Sequence, residues 1–447
     1  MFQKISSLTL VLLAAGVPLG PAWAAAKRPP VEVSSAPGLE ERGEAATAGP
    51  VWELSDLIRE ALEKNPEIRT YEERWKGAKA RVWQALSWDD TMIGADFEGI
   101  PRGRSDADRA NNIEWMISQK IPFPGKRFLK GRVASKEAKM AREDYRAKER
   151  EIVSEVKKAY SQYFLKEHEV LLHEETKRIL ERLAKSAESR YATGQIPYHE
   201  VLRVHTELAT ITNEVARHYQ ERETARARIN ALMGRGEIYS PLRIAVHIPE
   251  RKLSFTRDEL MKLALERRPE LSAMRYGFEA AKTDAVSAWV DLLPDAQARI
   301  EARQFAGEGR VREYDQFLGF EVPVFSLVGR VGAIKEKKAQ KQEARAALEN
   351  MKNMVFFEVQ EALAEFESND RTTRLYQFNV VPQAESALAS MLASYEAGAG
   401  DFIQTMEAQK ALTEFRHHYF EALVMREQSF AELERVVGIE LGGGMVQ

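Results

Sequence analysis

An internal repeat is the feature that most constrains how this chain of 447 residues can fold. The segment ALEKNPE at 61–67 returns as ALERRPE at 264–270, and YATG at 191–194 returns as YEAG at 395–398. Further matches near the predicted strands and at the end of each repeat keep the same order and an offset of about 203 residues. A unit of this length is too long for a solenoid repeat. Each repeat is therefore expected to form half of the folded molecule.

The N-terminal region is predicted to direct the chain out of the cytoplasm. The uncharged run from Ile5 to Ala26 contains the pattern Ala22-x-Ala24, which favours a cleaved signal peptide over a single membrane anchor. The next segment combines Pro, Gly and charged residues without apolar periodicity, which is typical of a linker. The expected parts are a signal peptide (1–24), a linker (25–50), a first repeat (51–240), a connector (241–255), a second repeat (256–440) and a tail (441–447).

Each repeat is expected to begin with a helix and to end with a long helical hairpin. The first helix of about 33 residues would start near Leu54, and its counterpart near Thr256. The absence of proline between Pro124 and Pro197 predicts one helix of roughly 65 residues, close to 100 Å long. A second helix of about 36 residues would run back along it as an antiparallel coiled coil. In the second repeat, Pro382 is expected to dent or restart the long helix.

Four segments between these helices alternate apolar and polar residues, which predicts strands of about ten residues. The residues of the apolar parity are Ile93, Ala95, Phe97, Ile113, Trp115, Ile117, Ala296, Ala298, Ile300, Leu318 and Phe320. Such strands are typical of outer-membrane β-barrels, and this parity would face lipid. Four strands cannot close a barrel, and lipid excludes open sheet edges, so several copies must share one. The predicted fold is mainly α with a small β part.

Composition excludes several classes of protein. The 65 Lys+Arg and 68 Asp+Glu residues nearly balance, so nucleic acid is not an expected partner. A mean hydropathy of −0.42 excludes a bundle of membrane-spanning helices. The chain has no Cys, and no acid–base or nucleophilic arrangement is recognisable, so neither an enzyme nor a cofactor is expected. The pair His417-His418 and the spacing of His168 and His173 do not suit one ion, so no metal site is expected.

Four segments together resemble the TolC-like outer-membrane efflux proteins. They are ALEKNPEI (61–68), QKIPFPGKR (119–127), RYATGQIPYHEVL (190–202) and SYEAGAGDFIQTMEAQKAL (394–412). The resemblance covers nearly all of the chain after the signal peptide, and it implies a homotrimer with a 12-stranded membrane barrel and a periplasmic α-helical barrel. The expected partners are a periplasmic adaptor of the membrane fusion protein class, an inner-membrane pump and outer-membrane lipid.

The resemblance also implies a function. The junction IPFPGKR (121–127) looks most like the branch that serves heavy-metal cation pumps of the resistance-nodulation-division class. The chain is therefore expected to conduct such cations passively across the outer membrane, with drugs or other small molecules as the alternative cargo. The alternative class of protein is a periplasmic coiled-coil adaptor or scaffold that forms no pore.

Within this resemblance the turns of the two helical hairpins are expected to dock the adaptor. The residues expected at these tips are Tyr191, Gly194, Tyr395 and Gly398. Asp401, Gln404 and Glu407 follow the second turn at spacings of three residues, which places them near one helix face. Around a threefold axis they would form rings that select cations. Glu200, with Arg203 nearby, is the counterpart expected in the first repeat.

Overall fold

The computed structural model describes residues 51–100, 110–245, 247–248, 253–305, 307–322, 325–397 and 399–442. The predicted signal peptide and linker lie outside these residues. The helices are α1 (Leu54–Lys64), α2 (Pro66–Leu86), α3 (Lys126–Ala192), α4 (Tyr198–Leu232), α5 (Arg257–Arg267), α6 (Pro269–Val290), α7 (Leu327–Leu375), α8 (Val381–Glu396) and α9 (Phe402–Val437). The strands are β1 (Val51–Trp52), β2 (Met92–Glu98), β3 (Asn112–Ile121), β4 (Arg243–Ile244), β5 (Asp295–Phe305) and β6 (Glu313–Glu321).

The order of elements is the same in both halves of the chain. Two short helices precede a pair of strands, and a long helix with a returning helix follows. The fold is mainly helical with a small β part, as predicted. Strands β1 and β4 form a separate parallel pair of two residues each.

The predicted first helix of about 33 residues is wrong, because it is two helices in each half. Asn65 ends α1, and its side chain accepts a hydrogen bond from the backbone N–H of Glu67 at 2.8 Å. Pro66 then occupies the first position of α2, where a missing N–H has no cost. The Asn65 amide also donates to the carbonyl of Leu232 at 2.8 Å, which ties this break to the end of α4. Pro269 marks the corresponding break between α5 and α6.

The long helices have the predicted lengths. Helix α3 spans 67 residues, and α4 and α9 span 35 and 36. At 1.5 Å per residue, α3 is about 100 Å long. In the second half, a π-helical turn at Tyr376–Val380 separates α7 from α8, directly before Pro382 in the first turn of α8. This confirms the predicted irregularity, because proline cannot donate the backbone hydrogen bond of a continuous helix. No described helix is long and apolar enough to cross a membrane.

The larger sheet joins two antiparallel hairpins in the order β2-β3-β5-β6. Its central pairing is antiparallel, between β3 and β5, and aligns Ile117 with Ile300. The sheet therefore unites strands that lie about 200 residues apart in the sequence.

Among the residues that the structure describes, three large apolar cores lie along the long helices, with a smaller one around Phe164 and Val424. One joins α1 and the end of α4 to the middle of α3, around Val156 and Ile229. Its counterpart joins α5 to α7 and α9, around Val355 and Leu433. The third, which we call the tip core, joins the ends of both helical hairpins and contains Val204, Tyr395 and Phe402 among its buried residues.

Candidate channel surfaces and helical tips

The register of the sheet places all eleven residues of the predicted apolar parity on one face. Ile93 lies opposite Ile117, Ile117 opposite Ile300, and Ala298 opposite Leu318. Because directly opposed residues of antiparallel strands point to the same side, the apolar sets of the four strands are continuous. Several members of this set, Ile93 and Leu318 among them, are largely exposed in the single chain.

The other face of the sheet is charged. The guanidinium of Arg303 lies 3.2 Å from the carboxylate of Glu114 and 3.6 Å from that of Asp315, so it links three strands. Lys120 pairs with Glu321 at 2.7 Å. Among the residues the structure describes, the outer strands β2 and β6 each pair with one neighbour only. The sheet thus has one apolar face, one polar face and two open edges.

The first tip is a tight turn that exposes Tyr191. Gly194 has φ +72°, a left-handed conformation that favours glycine. Its N–H donates to the carbonyl of Tyr191 at 2.9 Å, and the N–H of Gln195 donates to that of Arg190 at 2.8 Å. These bonds satisfy the last carbonyls of α3. The Tyr191 side chain is 47% exposed and its ring contacts that of Tyr198.

The second tip differs, and it corrects the expectation that Tyr395 is a docking residue. Tyr395 is only 2% exposed and packs against Phe402 in the tip core. Arg190 of the first tip donates to its carbonyl at 2.6 Å and lies over its ring at 4.3 Å. Tyr395 therefore ties the two tips together. Gly398 lies outside the described residues, but a Cβ added at Gly400 would lie 2.6 Å from the backbone nitrogen of Tyr395.

The constriction candidates occupy different environments. Asp401 is the N-cap of α9, and its carboxylate accepts a hydrogen bond from the N–H of Ile403 at 2.7 Å. Gln404 and Glu407 are exposed on the same helix. Glu407 lies 4.0 Å from the guanidinium of Arg203 on α4, an exposed pair that contributes little to stability.

Glu200 is set apart from the other acidic candidates. It is half-buried, and its Oε2 atom has no hydrogen-bond partner in the part of the chain that the structure describes. The structure thus brings Glu407 and Arg203 together and leaves Asp401 and Gln404 exposed.

A groove of about 660 Å³ runs between α4 and α9, with α3 as its floor. Arg203 and Glu407 line it, and so do His173, His218 and His417. The groove therefore connects the level of the constriction candidates with a histidine-rich region farther from the tips.

Sequence reasoning missed a histidine–carboxylate cluster at the end of the groove farther from the tips. Glu169 of α3 lies 3.0 Å from Nδ1 of His218 on α4, and Lys166 pairs with both Glu169 and Glu221 at 2.8 Å. Burial opposes ionisation of Glu169, but its contacts with His218 and Lys166 outweigh that effect and lower its pKa to about 2. The carboxylate is therefore ionised at neutral pH.

The two histidines of α3, His168 and His173, have different neighbours. The ring of His173 lies 4.4 Å from that of His218. The pKa of His173 is lowered, mainly by burial and secondly by the neighbouring His218. His168 instead packs against Phe164 and Phe420.

The sequence signal that could have revealed this cluster is the equal distance of its residues from the turn at Gly194. Glu169 lies 25 residues before Gly194, and His218 and Glu221 lie 24 and 27 residues after it. In an antiparallel helical hairpin, residues at similar distances from the turn meet.

Comparison with known proteins agrees with this architecture. The sequence profile of the outer membrane efflux proteins matches residues 57–235 and 260–439, more than three quarters of the chain. The fold is similar to that of VceC from Vibrio cholerae, with a TM-score of 0.74, 19% identity and coverage of 87% of this chain and 96% of that one. It is also similar to the open-state MtrE channel of Neisseria gonorrhoeae (TM-score 0.71, 16% identity, 87% and 89%) and to CusC (0.75, 16%, 88% and 96%). Functionally characterised sequences gave no significant match.

Proposed function

Because the chain belongs to the outer membrane efflux protein family, which consists of channels and not enzymes, we propose that three copies form one channel in which twelve strands share a barrel. The protein is an outer-membrane protein whose helical part projects into the periplasm. The family assignment favours this channel over a periplasmic adaptor or scaffold. In the proposed assembly the long helices of the three copies line a common duct.

The open four-stranded sheet is the observation that carries this proposal. One face is apolar and exposed, and the described residues give β2 and β6 no partner on their outer sides. Lipid does not tolerate unpaired backbone groups, so the edges need strands from other copies. Pairing β6 of one copy with β2 of the next satisfies both edges at once.

Engineered disulfides test this assembly cleanly because the chain has no Cys of its own. The test uses a set of edge pairs, namely Ala95→Cys in β2 with Gln316→Cys in β6 and similar pairs shifted by two residues. The pair that matches the register between copies should give covalent trimers on a non-reducing gel. Ala95→Cys with Ala302→Cys is the matched control, since Ala302 lies on the inner strand β5. Monomers from every edge pair would contradict the shared barrel.

The proposed cargo is a heavy-metal cation delivered by an inner-membrane pump and a periplasmic adaptor. The junction at 121–127 and the acidic residues after the second tip support this choice. A deletion strain complemented with the chain should regain tolerance to divalent metals. Recovery of drug tolerance alone would support the alternative cargo.

The proposed constriction is a ring formed by Asp401, Gln404 and Glu407 of three copies, with Arg203 beside Glu407 as a partial counter-charge. Carboxylate rings attract cations, so their neutralisation should lower conductance for cations and weaken block by divalent ions. Asp401→Asn is the right substitution because asparagine still caps α9, whereas alanine would cost the helix about 1 kcal/mol.

Single-channel recording in planar bilayers tests this ring. Asp401→Asn with Glu407→Gln should change conductance without lowering the trimer yield. Asp258→Asn with Glu349→Gln removes the same number of charges at exposed sites on α5 and α7 and should behave as wild type. Equal recordings from both double variants would remove these residues from the constriction.

The proposed adaptor-docking surface keeps Tyr191 and Gly194, which are exposed at the first tip. It omits the side chain of Tyr395, because that residue is buried.

A further inference from the structure

We infer that Glu169, His218 and Glu221 form a binding site for a divalent transition cation such as Zn²⁺. Their candidate ligand atoms all lie within 4.8 Å of one another, and Glu169 and His218 are buried. The three side chains come from two helices, α3 and α4, that pack along their length. The site is separate from the proposed constriction and goes beyond the proposed channel function.

The strongest observation is a buried nitrogen without a partner. The His218 side chain is 6% exposed, and its Nδ1 atom has no hydrogen-bond partner in the described part of the chain. This atom nevertheless lies 3.0 Å from Oε2 of Glu169 and 3.2 Å from Oε2 of Glu221. A nitrogen held between two carboxylate oxygens, without the alignment that a hydrogen bond needs, is suited to share a cation with them.

The second ring nitrogen of His218 is oriented by Arg217. The guanidinium of Arg217 lies 3.4 Å from Nε2, and a guanidinium can only donate, so Nε2 is the acceptor. An imidazole that binds a cation through Nδ1 carries its proton on Nε2, so the guanidinium of Arg217 must turn away when the cation binds. Arg217 is exposed and has room to do so. The ring of His173 packs against that of His218 and restrains its orientation.

The distances suit a tetrahedral cation. Nitrogen and oxygen ligands about 2.0–2.2 Å from zinc lie roughly 3.4 Å from one another, close to the separations of His218 from the two carboxylates. His417 of α9 lies nearby, with Nδ1 3.5 Å from Oε1 of Glu169. Either this ring or a water molecule can complete the coordination.

The ligand types select the class of cation. One imidazole and two carboxylates suit borderline divalent ions such as Zn²⁺. Soft monovalent ions prefer sulfur ligands, and the chain has no Cys. A second acidic group on the strands, Glu114 with Glu301 and Asp315, carries no such proposal because it has no histidine, and its carboxylates pair with the arginines Arg303 and Arg299.

Lys166 occupies the site as an internal competitor. Its ammonium group pairs with Glu169 and Glu221 at 2.8 Å each, the same two carboxylates that would bind the cation. A divalent ion must displace this ammonium group, and Lys166 has a long flexible side chain that is 20% exposed and can swing away. Removal of Lys166 should therefore strengthen binding, which no folding defect would do.

Zinc titration of the purified full chain tests the site without any need for transport, so a negative result would leave the channel function untouched. The protein carries a tag without histidine, is stripped with a chelator and is titrated with Zn²⁺ by calorimetry. We expect one high-affinity ion per chain. His218→Phe retains a ring against His173 but lacks a ligand, and it should weaken binding at least about 100-fold, since loss of a supporting contact alone costs about 10- to 100-fold.

The matched control is His205→Phe on the same helix. His205 forms an exposed pair with Glu188 of α3 at 2.9 Å and should not affect binding. Lys166→Gln should bind Zn²⁺ more tightly than wild type. The site would be refuted by a wild-type chain that binds no Zn²⁺, by equal affinities of the two histidine variants, or by weaker binding of Lys166→Gln.

Discussion

A single charge on the apolar face of the sheet should prevent assembly of the channel. Ile300 lies in the middle of β5, between Ile117 of β3 and Gln316 of β6, and its side chain is 50% exposed in the single chain. In the proposed barrel this exposed part faces lipid. Arginine on the lipid face costs about 2–4 kcal/mol at the bilayer midplane.

Symmetry multiplies this penalty. A trimer carries Ile300→Arg three times, so the total is roughly 6–12 kcal/mol if the three positions act independently. This is comparable to the whole folding free energy of a typical domain, about 5–15 kcal/mol. The variant should therefore be nearly absent from the outer membrane.

Met116→Arg is the matched control. Met116 lies on β3 at the neighbouring level but on the charged face, directly opposite Glu301 of β5. The new guanidinium would have a carboxylate partner there, so this variant should assemble. Both substitutions replace a large apolar side chain with arginine on an inner strand of the sheet, but on opposite faces.

Membrane fractionation with heat-modifiable gel migration measures the outcome. Ile300→Arg should lose the folded, outer-membrane band and Met116→Arg should keep it. Equal amounts of both folded variants would refute the assignment of the lipid face, and the reverse result would place lipid on the charged face.

Two further predictions concern the helices. Arg190→Ala removes the hydrogen bond and the ring contact with Tyr395, so it should loosen the two tips and raise single-channel conductance. Arg190→Leu removes the charge but keeps part of the side-chain packing, and it separates these two contributions. A conductance equal to wild type would show that this contact does not restrain the tips. Burial opposes ionisation of Glu432, but Arg435 and Lys158 outweigh it and lower its pKa from 4.5 to about 2. The stabilisation is therefore full above about pH 4.5 and lost as the pH falls towards 2, so Glu432→Gln should flatten the pH dependence of thermal unfolding between these values. An unchanged slope would contradict the shift.

Periodicity was sufficient to predict the long helices and the faces of the strands, but not the breaks at Asn65 and Arg268. The apolar spacing of α1 continues into α2 without a change of period. Both breaks fall directly before a proline at the first position of the next helix, Pro66 or Pro269, a local signal that periodicity does not include. The bond from the Asn65 amide to the carbonyl of Leu232 joins residues distant in sequence, so only tertiary structure reveals that contact.

The repeat predicted equivalent tips, and the structure shows that they are not equivalent. Tyr191 and Tyr395 occupy the same position of the repeat, yet one is exposed and the other is buried. Arg190 precedes Tyr191 but contacts Tyr395, so the asymmetry arises from the packing of one hairpin against the other. A sequence repeat describes each hairpin alone and contains no information about which one is covered.

The histidine–carboxylate cluster shows where prediction could have gone further. Its two helices form one hairpin, so counting residues from Gly194 brings Glu169 and His218 to the same level. The contribution of His417 depends on how α9 packs against α3, which no count within one hairpin can give. Buried charges of this kind add little net stability compared with apolar packing. Stability alone therefore gives no reason to place them between the apolar cores of a long coiled coil, whereas binding of a cation does.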